Sequence, residues 1–392
     1  MTDKPAILGG RPIFTEFVPI VRPYLPKYED VQAEMEEMIS TASLTKGRHL
    51  RNLEDAMARH LGVRHAVAMS SCTLGLYSTF LGLGLEGEVV VPSFTFMATV
   101  SSLVLAGLKP VFVDVDPHSM NMDPATVEEA ITSKTDAIVV VHTFGNPADM
   151  DGLEALARKK GLPLLFDSAH GFGSLYRGRR VGCQGKVQVF SLTPTKLVVG
   201  GEGGIVATDD SGLAERLIKL REYGMTEGYD SAFAGLNARL PEFNAMMAMH
   251  SLGLLEESVS RRNRLAELFR EQLGRLPGVG FQQIHPDDRS SYKDFSITVD
   301  PDLFGMNRNQ LAEALEAENI DSRKYYFPPV HLQQAYRRYH DGRDLPNTER
   351  LADRILSLPM WSHMPDEMCL RICEAVARVR SHASEVKRLL GS

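Results

Sequence analysis

Lys196 closes the segment Phe190-Ser191-Leu192-Thr193-Pro194-Thr195-Lys196 and leads into Gly200-Gly201-Glu202-Gly203-Gly204. Upstream, the apolar run Leu164-Leu165-Phe166 ends in Asp167-Ser168-Ala169-His170. Lys196 lies in a loop with few other charges, where desolvation is expected. That lowers its amine pKa and frees the nitrogen to capture a carbonyl as a Schiff base. A released lysine amine is also a natural shuttle for a proton between neighbouring carbons. An aspartate at a strand end can keep an aromatic nitrogen protonated by its charge. Acid, hydroxyl, lysine and glycine-rich turn in this order are what a pyridoxal phosphate (PLP) site requires, with Lys196 as the carbonyl-capturing amine and Asp167 as the partner of the pyridine nitrogen.

The phosphate of such a cofactor needs backbone N–H groups at a helix start together with hydroxyls. Ser70-Ser71-Cys72-Thr73-Leu74 offers both after the run Ala66–Met69, which makes Thr73 and Ser191 the phosphate candidates; a plain helix cap is the alternative. Gly82-Leu83-Gly84-Leu85-Glu86-Gly87 has the letters of a dinucleotide fingerprint. It follows a helix and precedes a strand, the reverse of what that loop requires, and so reads as a helix stop.

These stretches resemble the sugar aminotransferases of the DegT/DnrJ/EryC1/StrS family, from about Ala42 to Ala377. The resemblance implies a fold-type I PLP-dependent transferase (aspartate aminotransferase-like), with a large mixed-sheet α/β domain, a smaller C-terminal α/β domain, and a homodimer with shared active sites. It places Asp167 at the pyridinium nitrogen and His170 near the ring hydroxyl. Cys72 stands where the family's turn has glycine; if that turn needed a positive φ, cysteine would strain it by about 1 kcal/mol. Phe96, in Phe94-Thr95-Phe96-Met97-Ala98-Thr99, matches the aromatic over the cofactor ring, with a core phenylalanine as the alternative. Gly235-Leu236-Asn237-Ala238-Arg239-Leu240-Pro241-Glu242 resembles a segment whose Asn reaches the phosphate of the neighbouring subunit's cofactor and whose Arg lies near the substrate. That puts Asn237 and Arg239 in those roles. Tyr325-Tyr326-Phe327-Pro328-Pro329-Val330-His331 is similar to a segment near the sugar site, where Tyr326 and His331 either contact substrate or pack the domain interface. The implied reaction moves an amino group from glutamate to a nucleotide-linked ketosugar, a dTDP-4-keto-6-deoxyhexose, in deoxyaminosugar biosynthesis. A keto-inositol (cyclitol) aminotransferase would use the same site. A PLP-dependent sugar dehydratase is disfavoured, because that branch carries histidine in place of Lys196.

Composition agrees. A chain of 392 residues, 43% apolar and 24% charged, is ordinary for a globular protein of one or two domains. A net charge of −7 argues against nucleic acid or an anionic membrane as the main partner. Cys72, Cys183, Cys369 and Cys373 form neither a disulfide framework nor a metal set, and Cys369 and Cys373 share one helix face. These points, with the absence of a leader pattern in Met1–Gly10 and of a long apolar span, predict a cytoplasmic protein.

The positioning elements read as alternating helices and short apolar strands. Strands are expected at 66–69, 88–91, 110–115, 137–141, 163–166, 187–190 and 204–207, with the acid and the lysine at strand ends. In such sheets ligands bind beyond the carboxyl ends of the strands. Asp30 is expected to cap a helix over 31–42, and further helices are expected at 53–61, 240–273, 309–317 and 367–390, with one more strand at 294–299. The boundary falls near residue 250. Residues 1–250 form the large PLP-binding domain with its proline-rich N-terminal arm, and residues 251–392 form the small domain.

Overall fold

Runs of Val, Ile and Ala too short to make helices form the strands of the central sheet. The computed structural model describes residues 4–391; Met1–Asp3, which belong to the stretch read as lacking a leader, and Ser392 lie outside the described residues. The large sheet contains β1 (His65–Met69), β2 (Glu88–Pro92), β3 (Lys109–Val113), β4 (Thr135–Val141), β5 (Leu164–Asp167), β8 (Val187–Ser191) and β9 (Gly204–Thr208), and a small hairpin, β6 (Leu175–Tyr176) and β7 (Arg179–Arg180), follows β5. The order is β1-β9-β8-β5-β4-β2-β3. The pairs from β3 through β8 are parallel, while β9 runs antiparallel to both β8 and β1. Most of these strands are buried along nearly their whole length, because helices cover both faces.

The covering helices are α1 (Tyr28–Thr41), α2 (Arg48–Leu61), α3 (Cys72–Leu83), α4 (Met97–Leu105), α5 (Pro124–Ala130), α6 (Met150–Lys160), α7 (Ser211–Leu220), α8 (Glu242–Gly253) and α9 (Leu255–Leu273). A second, antiparallel sheet joins β10 (Val279–Phe281), β11 (Phe295–Val299) and β12 (Ile355–Leu358). Its core takes Leu265 and Phe269 from α9, Ile297, Leu356 and Val376, and also Phe14 and Val18 from the N-terminal arm. The arm therefore packs on this second core. Glu318 fastens it by accepting from the amides of Ala6 and Ile13, both at 2.8 Å.

Several boundaries differ from expectation for local reasons. Helix α1 begins at Tyr28, so Asp30 sits in its first turn and reaches back to accept from the Lys27 amide at 3.2 Å rather than serving as the cap. The stretch 240–273 is broken at Leu254 into α8 and α9, and the C-terminal helix is broken at His382. Gly84 ends α3 in the left-handed region, φ 66°, as a helix stop.

Helix α2 starts five residues early, at Arg48 instead of Leu53, because its N-terminus is capped from far away in sequence. The fully buried Glu242 accepts from the amides of Gly47, His49 and Leu50 at 2.9, 2.8 and 3.1 Å. Position 47 must be glycine for closeness, since a Cβ there would lie 2.6 Å from the Glu242 carboxylate. Replacing Glu242 with Ala leaves buried donors unmet, so E242A should lose about 2–4 kcal/mol in denaturant unfolding and E242Q less. Equal stability of E242A and wild type would remove the cap from this account.

Candidate active site at the strand carboxyl ends

A cavity of about 330 Å³ opens at the carboxyl ends of β4, β5 and β8. Its wall includes Val141, Asp167 and Ser191 from those strand ends, Ser71, Cys72 and Thr73 from the start of α3, and Phe96 and Ala98 from the start of α4. Lys196 and Glu202 come from the glycine-rich loop, and Lys293, Asp294, Tyr325 and Tyr326 come from the chain around the second sheet. Both sheets therefore build the site.

Asp167 ends β5 with its carboxylate buried, 5% exposed. Thr99 Oγ1 donates to Oδ2 at 2.7 Å, the Ala169 amide donates to Oδ1 at 3.1 Å, and Thr95 and Thr99 share a hydroxyl contact at 2.9 Å. Burial raises the Asp167 pKa, opposed by the Thr99 and Ala169 hydrogen bonds and then by the charge of Lys196. Ser168 turns the other way and donates to Gln188 at 2.8 Å, which fixes the strand end.

Lys196 is only partly exposed and lines this cavity. Burial, with help from the positive charge of Lys293, brings its pKa down to about 8, against the pull of Asp294, Cys72 and Asp167. His170 is buried with Nδ1 unpartnered among the described residues, and burial followed by the nearby Lys196 charge holds its pKa well below the usual value. It is a neutral imidazole that lines the cavity, with Nδ1 buried. His142, at the end of β4, is also neutral: burial takes its pKa to about 3, its Nδ1 accepts from the Ala148 amide at 3.1 Å, and its ring stacks on Phe166. It belongs to the core.

Cys72 is the first residue of α3 and is not among the residues with positive φ, so the turn needs no glycine and carries no strain there. Burial, then the Asp167 charge, raises its thiol pKa, so Cys72 stays protonated. Ser71 caps the helix by accepting from the Leu74 amide at 3.1 Å. The first-turn amides of an α-helix lack intrahelical partners and carry its positive end, which suits an anion. Ser191, Thr193 and Thr195 add hydroxyls to the same wall, with contacts of 3.3 and 3.4 Å between neighbours.

The expected residues thus divide. Lys196, Asp167, His170, Ser191, Thr73, Cys72, Phe96 and Tyr326 line one cavity. Asn237 is exposed, and the Arg239 guanidinium stacks over Tyr223 at 5.5 Å; neither lines the cavity of its own chain. His331 is fully buried, with Nδ1 2.6 Å from Ser93 and Nε2 3.3 Å from Glu349, and does not line the cavity. Sequence reasoning missed Thr95, Thr99, Thr193, Thr195, Lys293 and Asp294. The alternation Ser191, Thr193, Thr195 before the lysine was a usable signal for two of them.

The residues present fit PLP. A buried acid, a partly buried lysine, a neutral histidine with an orphaned nitrogen, and a hydroxyl-lined helix start are the donors and charges that its ring nitrogen, aldehyde, ring hydroxyl and phosphate need. Lys196 is protonated and inert well below pH 8 and nucleophilic above it. Borohydride trapping of an aldehyde on apoprotein Lys196 should accordingly rise with a midpoint near pH 8. A midpoint at the ordinary lysine value would contradict the desolvated environment.

The chain matches the DegT/DnrJ/EryC1/StrS aminotransferase family over residues 27–377. It is 36% identical over 358 residues to the dTDP-3-amino-3,4,6-trideoxy-alpha-D-glucose transaminase of Streptomyces venezuelae, covering 89% of this chain and 93% of that one. Among solved structures it is similar to DesI crystallised with its TDP-sugar product, at 35% identity and a TM-score of 0.91, covering 100% of this chain and 99% of that one. It is also similar to S. venezuelae DesV in complex with a ketimine intermediate, at 34% identity and a TM-score of 0.85, covering 94% and 99% of the two chains. No helix among the described residues is long and apolar enough to cross a membrane, and none of their His, Cys, Asp and Glu side chains cluster to hold a metal ion. With this fold, this cavity and these relatives, the chain belongs to the DegT/DnrJ/EryC1/StrS family and is a PLP-dependent sugar aminotransferase.

Proposed function

We propose that this enzyme transfers the amino group of L-glutamate to the keto carbon of a dTDP-linked 4-keto-6-deoxyhexose, in the assembly of a deoxyaminosugar. The observation that carries the reading is the meeting of Lys196, Asp167 and His170 in one cavity at the strand ends. Similarity to a dTDP-aminosugar transaminase and to a structure holding a TDP-sugar product supports a dTDP-linked sugar as the acceptor class, with the 4-keto position part of the proposal itself.

When bound, PLP supplies an electron sink that stabilises negative charge on the carbon losing its proton. In this reading the chain's own residues do the rest. Lys196 Nζ would anchor the cofactor and, as a free amine, would take a proton from the donor's α-carbon and give one to the acceptor carbon. Its pKa, lowered by burial to about 8, leaves more of the freed amine unprotonated near neutral pH than an ordinary lysine would have. Asp167 holds a proton on the ring nitrogen through its negative charge, with Thr99 and the Ala169 amide fixing the carboxylate. His170 would lie near the ring hydroxyl, and Phe96 would pack against the ring. Ser191, Thr73 and the first turn of α3 hold the phosphate.

The enzyme works as a homodimer in this proposal. Asn237, exposed on its own chain, reaches the phosphate in the neighbouring subunit's site, and Arg239 approaches the substrate there. The amination panel should include dTDP-linked 4-keto and 3-keto sugars and a keto-inositol, with glutamate as donor. Amination at C4 of the dTDP-4-keto-6-deoxyhexose is expected, with the product identified by NMR. Amination of the 3-keto sugar alone would move the reaction to C3, and amination of the keto-inositol alone would replace the nucleotide-sugar acceptor.

A further inference from the structure

A second lysine shares the cavity with Lys196. Lys293 and Asp294 both line it and are 6% and 9% exposed. Lys293 Nζ lies 2.8 and 2.9 Å from the two carboxylate oxygens of Asp294 and 5.5 Å from the centre of the Tyr325 ring. Successive residues of an extended strand point to opposite faces. These two meet because they sit in the turn into β11, just after Tyr292 in the left-handed region at φ 45°.

The backbone around the pair is tied down. The Lys293 amide donates to Phe144 O at 3.0 Å, Arg262 Nη1 donates to Lys293 O at 3.0 Å, and Ser291 Oγ donates to His170 O at 2.8 Å. The ammonium is thus carried on a flexible stem from a fixed point. It has three donors, and Asp294 takes two, leaving one N–H to offer. A buried ion pair is a poor stabiliser compared with apolar side chains of the same size. Its retention in the wall of a substrate cavity therefore calls for another use.

The reaction supplies one. An amino-acid donor brings a carboxylate into this cavity, and a ketosugar then enters the same cavity with no carboxylate at its reacting end. A lone buried cation would be left uncompensated in the sugar half of the cycle. We propose that Lys293 is the cation that receives a carboxylate of the amino donor, and that Asp294 is the resident partner that pairs with Lys293 whenever that carboxylate is absent. This rests on the amino-acid-to-sugar reading above, but only on its donor half. Because Lys293 also repels charge on Lys196, the same ammonium links donor recognition to the reactivity of the catalytic amine.

The test uses the holoenzyme and reads the two half-reactions apart. L-Glutamate is titrated in stopped flow without any sugar, following the loss of the cofactor's visible band, and the ketosugar is then added to the aminated form. Calorimetry with glutarate, which has the carboxylates but no amine, gives binding independent of turnover. K293M should weaken glutamate and glutarate about 10- to 100-fold, with K293R restoring part of the loss and the sugar half-reaction falling by less than the glutamate half-reaction, because the loss of the Lys293 charge beside Lys196 is common to both. Because K293M leaves Asp294 buried and unpaired, K293M/D294N serves as the neutral companion and should show the same loss for the donor. Unchanged glutamate and glutarate affinity in either folded variant would overturn the proposal, as would an equal fall in both half-reactions. If no sugar is accepted by wild type, the acceptor assignment fails while the donor titrations still decide the role of Lys293.

Discussion

The site depends on keeping one carboxylate ionised where burial disfavours it. Asp167 sits at the end of a central parallel strand, and removing it from water pushes its pKa up. Two hydrogen bonds and a nearby ammonium oppose that push. Only an ionised Asp167 can hold a protonated pyridine nitrogen, and only a protonated ring draws electrons strongly. Thr99 and the Ala169 amide therefore do more than place the side chain, because they favour its charged form.

The same cavity treats its cation in the opposite sense. Lys196 is desolvated and faces Lys293, so its amine is easier to free. In the proposed mechanism, one enclosed space holds an acid that must stay charged beside an amine that must lose its charge. Hydrogen bonds to the acid and a like charge near the amine separate the two requirements. The architecture serves this arrangement. Parallel strands β4, β5 and β8 deliver the groups to one edge, and the antiparallel β9 returns the chain so that the glycine-rich loop closes beside α3. Position 204 must be glycine, since a Cβ there would lie 2.6 Å from the Cys72 amide nitrogen.

What could be read from the sequence was what is local. Strand ends, the lysine loop and the helix start after β1 each occupy a few consecutive residues, so short stretches alone suffice to assign Asp167, His170, Ser191, Thr73 and Lys196 to one site. Contacts across long sequence separations leave no such local mark. The start of α2 is decided by Glu242, 195 residues beyond Gly47, and Thr99 reaches Asp167 across 68 residues. The neighbours of His331 suit a substrate contact, yet its partner Ser93 lies 238 residues away and holds it in the core. Lys293 and Asp294 belong to no local pattern, and it is the turn at Tyr292 that brings them into the cavity. The Cys72 departure proved harmless because α3 begins at that residue with ordinary backbone angles.

The central claim is that Asp167, held ionised by Thr99, keeps the cofactor ring nitrogen protonated. Nitrogen-15 NMR of holoenzyme reconstituted with cofactor labelled at that nitrogen reads this directly. The account predicts a protonated-nitrogen shift in wild type, a partial move toward the unprotonated value in T99V, and the unprotonated value in D167N. An unprotonated shift in wild type, or a protonated one that survives D167N, would contradict it.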